Sequence, residues 1–246
     1  MSIKKHFFLG ISFLLLISCS GNEGNPTGQG DSNNDLTEKQ ELAIAYFKEI
    51  ALGFEFGNAS EVTRKWASDV VIFVGGEPNE MLLNELDDII NDLNDLIKKD
   101  SIMVTTTGDS LASNFYLFLG SGEEFERRFE PSEGYTASNY GLFWVYWNGN
   151  NELNRGAMYV DLYRPAALNQ RHLLREELTQ SLGMAKDSPK YTDSIFQSSY
   201  NNGTATKFSE LDEAVIQMLY HPEVSTGLAA SQVHSILENI VSEFIE

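Results

Sequence analysis

The chain has 246 residues, with 17 basic and 36 acidic side chains that give a net charge of −19 at pH 7. A surface this negative repels phosphate backbones, which excludes nucleic acid as a partner. Cys19 is the only cysteine, so no disulfide can form within the chain and a hydrophobic core must supply its stability.

The first residues have the pattern of an export signal. Lys4 and Lys5 precede an apolar segment, Phe7 to Ile17, that is too short to span a bilayer. The residues Leu16-Ile17-Ser18-Cys19 resemble the bacterial lipobox, in which the cysteine is lipidated and becomes the new first residue. We therefore predict a cleaved signal over residues 1–18 and a membrane contact through lipidated Cys19. The alternative is an ordinary signal peptide with an incidental cysteine.

The remaining chain divides into a tether and one domain. Residues 19–36 are rich in Gly, Asn, Ser and Asp and contain little to bury, which is typical of a flexible linker. Residues 37–246 are enough for one sizeable core. Cleavage of the signal removes two lysines and no acid, which lowers the net charge to −21. We expect a protein of the bacterial cell envelope, held at a membrane and either periplasmic or on the cell surface.

Periodicity and capping residues predict the elements of residues 37–246. Thr37 and Gln40 form a capping-box pattern at the start of the first helix. Alternating β-branched and aromatic segments indicate strands, and apolar positions three and four apart indicate helices. In chain order these are a helix to Leu52, a strand at 70–74, a helix at 80–98, strands within 101–108, 113–120, 141–149 and 156–163, a helix from Pro165 to Leu182, a loop at 184–207, a helix from Ser209 to Tyr220 and a helix at 231–245. Because most strands precede most helices, this order favours an α+β fold with a mixed sheet.

The helix that ends at Gly183 has two different faces. Leu174, Leu178 and Leu182 fall on one side of the helical wheel and predict a buried stripe. His172, Glu176 and Gln180 follow each other at i+4 steps on the opposite side, with Glu177 beside them. Polar side chains are thus gathered on one face, which makes this the site helix.

The segment EELTQSLGM of the site helix resembles the helix of metzincin zinc peptidases. In that pattern two histidines four residues apart bind zinc and a glutamate after the first activates water. Glu176 stands at the first histidine, Gln180 at the second and Lys186 at the third, and only the glutamate, Glu177, is kept. Phe196 stands where metzincins have the methionine of their methionine turn.

Three segments together resemble a known family. EELTQSLG, DSIF and LDEAVIQMLYHPEV look like the bacterial secreted proteins and lipoproteins catalogued as domain of unknown function 2927. The resemblance covers residues 165–225 and implies a single zincin-like domain with a central site helix and C-terminal helices, without an established reaction.

The donor set favours a protein that is not an enzyme. Zinc prefers imidazole and thiolate ligands, whereas Gln180 is a poor ligand and a protonated Lys186 repels cations. We therefore expect no cofactor and a degenerate peptidase domain that binds a peptide or partner protein in a groove over Glu176, Glu177 and Gln180. Leu174, Leu178 and Leu182 would hold the site helix without a metal.

Two alternatives remain open. The first is a zinc-dependent hydrolase with His172, Glu176 and Gln180 as candidate ligands, Glu177 as the catalytic base, and His221 or His234 completing the site. The second is an assembly factor that works through the acidic helix at 80–98.

Simpler roles compete with these assignments. His172 could be solvated and His234 exposed, while Glu176 and Glu177 could pair with Arg171 or Arg175 or line a polar groove. The aromatic series Phe143, Trp144, Tyr146 and Trp147 is expected to be core, since alternating strand residues of this kind are usually buried. The alternative is a carbohydrate-binding platform, if one face of the strand is open.

Overall fold

The computed structural model describes residues 36–199 and 205–246, and residues 36–246 form one compact unit. The predicted signal at 1–18, the lipidated Cys19 and nearly all of the tether at 19–36 lie outside the described residues. Within the part described, no helix is long and apolar enough to cross a membrane.

Six α-helices and six strands make up the described residues. The helices are α1 (Glu38–Ala51), α2 (Glu80–Ile97), α3 (Gly122–Arg128), α4 (Ala167–Gln180), α5 (Glu210–Leu219) and α6 (Ala230–Ile240), with short 3-10 turns at Glu130–Ser132 and Val241–Glu243. The strands are β1 (Lys65–Trp66), β2 (Val70–Gly76), β3 (Val104–Thr107), β4 (Phe115–Gly120), β5 (Gly141–Trp147) and β6 (Glu152–Asp161). All predicted helices are present, and the capping box of Thr37 with Gln40 is confirmed.

The sheet is mixed, as predicted, and mostly parallel. β3, β2, β4 and β6 lie side by side in that order and run parallel, while β5 pairs with the outer side of β6 in the antiparallel direction. β1 adds a short parallel pairing to the start of β6. Among the described residues, β5 and β3 are therefore edge strands on opposite sides of the sheet, and helix α2 makes the crossover that parallel β2 and β3 require.

Two features between β4 and β6 differ from the sequence prediction. Helix α3, which begins at the side-chain cap Ser121, was not predicted because its seven residues are too few to show a helical period. Strand β6 begins at Glu152, before the predicted Ala157, because Tyr146 and Trp147 of β5 continue to pair with Arg155 and Leu153.

The C-terminal end of α4 is held by side chains from two other elements. The indole of Trp66 donates to the carbonyl of Ser181 at 3.0 Å, and the hydroxyl of Tyr220 donates to the carbonyl of Leu182 at 2.8 Å. These bonds satisfy carbonyls that have no partner within the helix. Leu174, Leu178 and Leu182 are fully buried, so the predicted stripe is confirmed and α4 is fixed in the core.

Candidate functional site

A groove of about 920 Å³ runs between β5 and α4. Successive residues 141–145 of β5, and not every second one, line this groove. Alternate side chains point to opposite faces of a strand, so this lining shows that the groove follows the strand's edge. The other walls are α4, the segment 54–59 after α1, and residues after the site helix.

The site helix is buried on both faces. His172 is 4% exposed, Glu176 and Glu177 are each 8% exposed, and Gln180 is 6% exposed. All four side chains line the groove. The structure therefore brings together the groove residues named from the sequence, and all four are buried.

Arg171 and Arg175 pair with α2, and the expectation that they pair with Glu176 and Glu177 was wrong. Arg175 lies 3.2 Å from Glu85 and 2.7 Å from Asp92, and Arg171 lies 2.5 Å from Glu85. Both arginines belong to the side of α4 that packs on α2. Neither arginine therefore neutralises the two site glutamates.

The ring of His172 lies between a carbonyl and a carboxyl group. Nδ1 is 2.7 Å from the carbonyl oxygen of Ala205, and Nε2 is 3.4 Å from Glu176. A carbonyl only accepts, so Nδ1 must carry a proton. Burial lowers the pKa of His172, but the contact with Glu176 outweighs it and raises that pKa above its usual value. The expectation of a solvated His172 was wrong, because Ala205 of the loop between α4 and α5 contacts the ring and the residue is buried.

Glu177 is an acidic residue of the site whose carboxyl lacks a partner in the described part of the chain. Its carboxyl has no hydrogen-bond or ion-pair partner among the described residues, although it is more than nine-tenths buried. Burial raises the pKa of Glu177 well above its usual range, and the charges of Glu176, Asp187 and Glu55 raise it further.

Gly141, the first residue of β5, makes room for Glu177. A Cβ at position 141 would lie 2.6 Å from Oε1 of Glu177 and 3.1 Å from Cδ2 of Leu173. Glycine at this position allows the carboxyl to lie directly against the edge strand. A larger residue at position 141 would therefore displace the carboxyl of Glu177.

Two further acidic residues belong to the site and were missed by the sequence analysis. The amide of Gln180 donates to Asp187, and Glu55 lines the same groove from the segment after α1. Burial and the charges of Glu176 and Glu55 raise the pKa of Asp187 to about 7. Asp187 directly follows Lys186, so a search one residue beyond the third ligand position would have found it. Glu55 gives no local signal.

The residues at the three metzincin ligand positions do not suit zinc. Glu176 contacts His172, Gln180 is engaged with Asp187, and Lys186 pairs with Glu61 at 3.0 Å. In the part of the chain that is described, no three His, Cys, Asp or Glu side chains form a metal-binding group.

The histidines proposed to complete a displaced site have other neighbours. His221 lies 3.7 Å from Glu243, and His234 lies 3.3 Å from Glu238 within α6. His221 precedes Pro222 at the end of α5, and the side chain of His234 is 41% exposed. His172, which contacts Ala205 and Glu176, shares neither of these partners.

Aromatic residues of β5 form a wall of the groove, and the expectation that all of them are core was wrong. Phe143, Trp144 and Tyr146 are half-buried, and Trp147 is 40% exposed. Trp147 stacks on Phe54, with ring centroids 5.2 Å apart. The position of β5 at the edge explains this, because an edge strand has no neighbouring strand to cover its outer side.

The DSIF segment is fixed below the groove by a buried hydrogen-bond network. Asp212 accepts from the Ser194 hydroxyl at 2.6 Å and from the backbone N–H of Ile195 at 2.9 Å, while the Tyr46 hydroxyl lies 2.8 Å from Ser194. Phe196, at the position of the metzincin methionine, is fully buried. The network ties the loop after α4 to α1 and α5.

A comparison with protein families finds one that matches this chain, whereas a comparison with curated proteins finds no match. The family model described as protein of unknown function (DUF2927) matches residues 40–239. This range contains the groove, α4 and the buried DSIF network, and it covers most of the chain. The chain therefore belongs to the DUF2927 family.

Proposed function

We propose that this chain is a lipid-anchored protein of the bacterial cell envelope whose zincin-like domain has a degenerate peptidase site and binds a peptide or a segment of a partner protein. The observation that carries the proposal is the groove along the edge of β5. Within the described part of the chain β5 pairs with β6 only, so its outer edge can accept an added strand.

The order of elements supports a zincin-like domain. β6 leads into the site helix α4 through a short turn, and the antiparallel edge strand β5 borders the groove above that helix. Glu176, Glu177 and Gln180 lie together on this groove, as the metzincin pattern of the sequence implies.

The chemistry of the donors supports a binding role. Glu177 is buried beside other carboxyls, and among the described residues it hydrogen-bonds to neither of the two serines that line the groove, Ser138 and Ser198. A general base needs a nucleophile or a water held by an electrophile to act on a peptide bond. Strand addition needs only backbone groups and side-chain pockets.

Peptide binding can be tested with the full-length protein in detergent. The probe is a pool of acetylated and amidated nonapeptides, and binding is measured by calorimetry against the same pool with alternate backbone nitrogens methylated. We expect methylation to abolish binding, because a methylated nitrogen cannot donate to β5. Equal binding of both pools, or binding by neither, would contradict strand addition in this groove.

The aromatic wall provides a matched variant for the same measurement. Trp147→Ala removes the ring that stacks on Phe54 at the open end of the groove, and Leu111→Ala removes a side chain that is 94% exposed elsewhere. We expect weaker peptide binding by about tenfold for the first variant only, the effect of losing ~1.4 kcal/mol. If both variants bind alike, the peptide does not contact this wall.

A metal-dependent hydrolase is the second candidate, favoured by the contact of His172 with Glu176 beside Asp187. His172, Glu176 and Gln180 would then be the ligands and Glu177 the base. Elemental analysis of the purified protein tests it: a stoichiometric transition metal that is lost in His172→Ala, with peptide cleavage that stops on chelation, would favour this candidate over binding alone.

A further inference from the structure

The lining of the groove is strongly unbalanced in charge. Four acidic side chains line it: Glu55, Glu176, Glu177 and Asp187. Among the lining residues that the structure describes, His172 is the only side chain that can carry a positive charge, and it is already in contact with Glu176. Lysine and arginine side chains near α4 point to other partners, as Arg171, Arg175 and Lys186 show.

Glu177 provides a second, independent observation. Its carboxyl is more than nine-tenths buried, lines the groove and has no partner among the described residues. A buried carboxyl without a partner is costly, and its cost falls when it takes up a proton or meets a cation. Because residue 141 is glycine, this carboxyl lies directly against the first residue of β5, the strand to which the peptide is proposed to add.

We propose that the peptide bound in this groove carries a basic side chain, arginine or lysine, whose charged head pairs with Glu177 and its acidic neighbours Glu176 and Asp187. This inference rests on the proposed strand addition along β5 and specifies what the added strand presents. A guanidinium has five donors and fits two or three carboxylates at once.

The aromatic residues support a cationic side chain over a small inorganic ion. Trp144, Tyr135 and Trp147 line the same groove, and Tyr135 is 48% exposed. Trp147 already stacks on Phe54 and has the guanidinium of Arg64 4.6 Å from its ring centroid. A peptide cation would therefore meet Tyr135 or Trp144. Aromatic faces attract guanidinium and ammonium groups and also pack against the apolar stem of arginine or lysine. A bare metal ion has no apolar stem to pack against these rings.

The experiment compares four nonapeptide pools that differ only at the central residue: arginine, citrulline, leucine or glutamate. Citrulline has the shape of arginine without its charge. Calorimetry on the full-length protein at pH 7 is expected to show binding of the arginine pool that is at least about tenfold tighter than that of the citrulline pool, and no measurable binding of the glutamate pool.

Two variants locate the preference. Glu177→Gln and Asp187→Asn keep side-chain shape and remove charge, and both are expected to reduce the arginine-to-citrulline ratio towards one without weakening the citrulline pool. The control Asp88→Asn removes an exposed carboxylate of α2 that does not line the groove, and its ratio should be that of the unmodified protein. Circular dichroism melts confirm that each variant is folded.

The outcomes separate this inference from the proposed function. If all four pools bind equally, strand addition stands and the preference for a basic residue is overturned. If no pool binds, both fail. A preference for arginine that disappears after treatment with EDTA, or that persists in both charge-removing variants, also overturns the inference, because a metal or another surface would then be responsible.

Discussion

At the scale of single residues, Gly183 shows how a backbone conformation positions the site helix. Its φ is +119°, and a Cβ there would lie 2.0 Å from the carbonyl oxygen of Arg64. The sequence predicts that the site helix ends at this residue, and the structure adds the close approach of the segment that contains Arg64. Both the positive φ and the contact require glycine.

Gly183→Ala is therefore expected to destabilise the protein strongly. The loss should be at least ~2 kcal/mol, because the backbone carbonyl of Arg64 cannot move away as a flexible side chain would. Urea denaturation measures it. Gly149→Ala is the control, since a Cβ at position 149 meets nothing within 4 Å. Equal unfolding free energies for the two variants would contradict this account.

Asp187 links the site to pH. Its pKa is about 7 in the folded protein and 3.8 for the free side chain, so between these values the folded state binds more protons than the unfolded state. Stability must therefore be greatest below about pH 4 for this group and fall as the pH rises towards 7. The raised pKa values of Glu177 and His172 act in the same direction.

We expect the unfolding free energy of Asp187→Asn to fall less steeply between pH 4 and 7 than that of the unmodified protein. The difference should be on the order of a few kcal/mol over that interval. Denaturant titrations at several pH values give the two curves, with Asp88→Asn as the matched control. Parallel curves for Asp187→Asn and the unmodified protein would show that Asp187 is not held in the acidic cluster.

At the scale of elements, α2 and α4 are joined by buried ion pairs as well as by apolar packing. Arg175 is 2% exposed and contacts Glu85, which is 3% exposed, and Asp92. Breaking a buried pair from one side leaves the other charge without compensation. The ion pairs therefore also hold α4, which lines the groove, against α2.

Arg175→Met is expected to destabilise the protein by about 3 kcal/mol, because it removes the buried charge that faces Glu85. Arg127→Met, which breaks an exposed pair with Glu123 within α3, should cost less than about 0.5 kcal/mol. Urea denaturation at pH 7 compares the two. A cost for Arg175→Met as small as that of the control would mean that the pairs to α2 are solvated.

At the scale of the whole molecule, the predicted membrane anchor and the groove are at different parts of the chain. Cys19 lies outside the described residues, and the groove begins with Phe54. Cys19→Ala should therefore abolish labelling with radioactive palmitate and release the protein from the membrane fraction of a bacterial host, with its peptide affinity unchanged. Palmitate labelling that persists without Cys19 would rule out the lipobox.

The sequence by itself determined the features that depend on neighbours along the chain. Apolar periods and caps such as Thr37 and Ser209 predicted the helices, the leucine stripe predicted the buried side of α4, and three short segments pointed to the family. These features are local, because helix caps, strand alternation and helical faces are set by residues a few positions apart.

Only the tertiary structure decided which charges meet. Arg175 and Glu85 are 90 residues apart in sequence, and Glu55 reaches the groove from a segment far from α4, so no local pattern links them. The same is true of His172, whose burial depends on Ala205, and of the aromatic residues of β5, whose half-exposure depends on the strand being at the edge. Side-chain partners and burial are set by long-range packing. The site helix could therefore be predicted from the sequence, whereas the acidic groove, in which the carboxyl of Glu177 has no partner among the described residues, could be seen only in the folded chain.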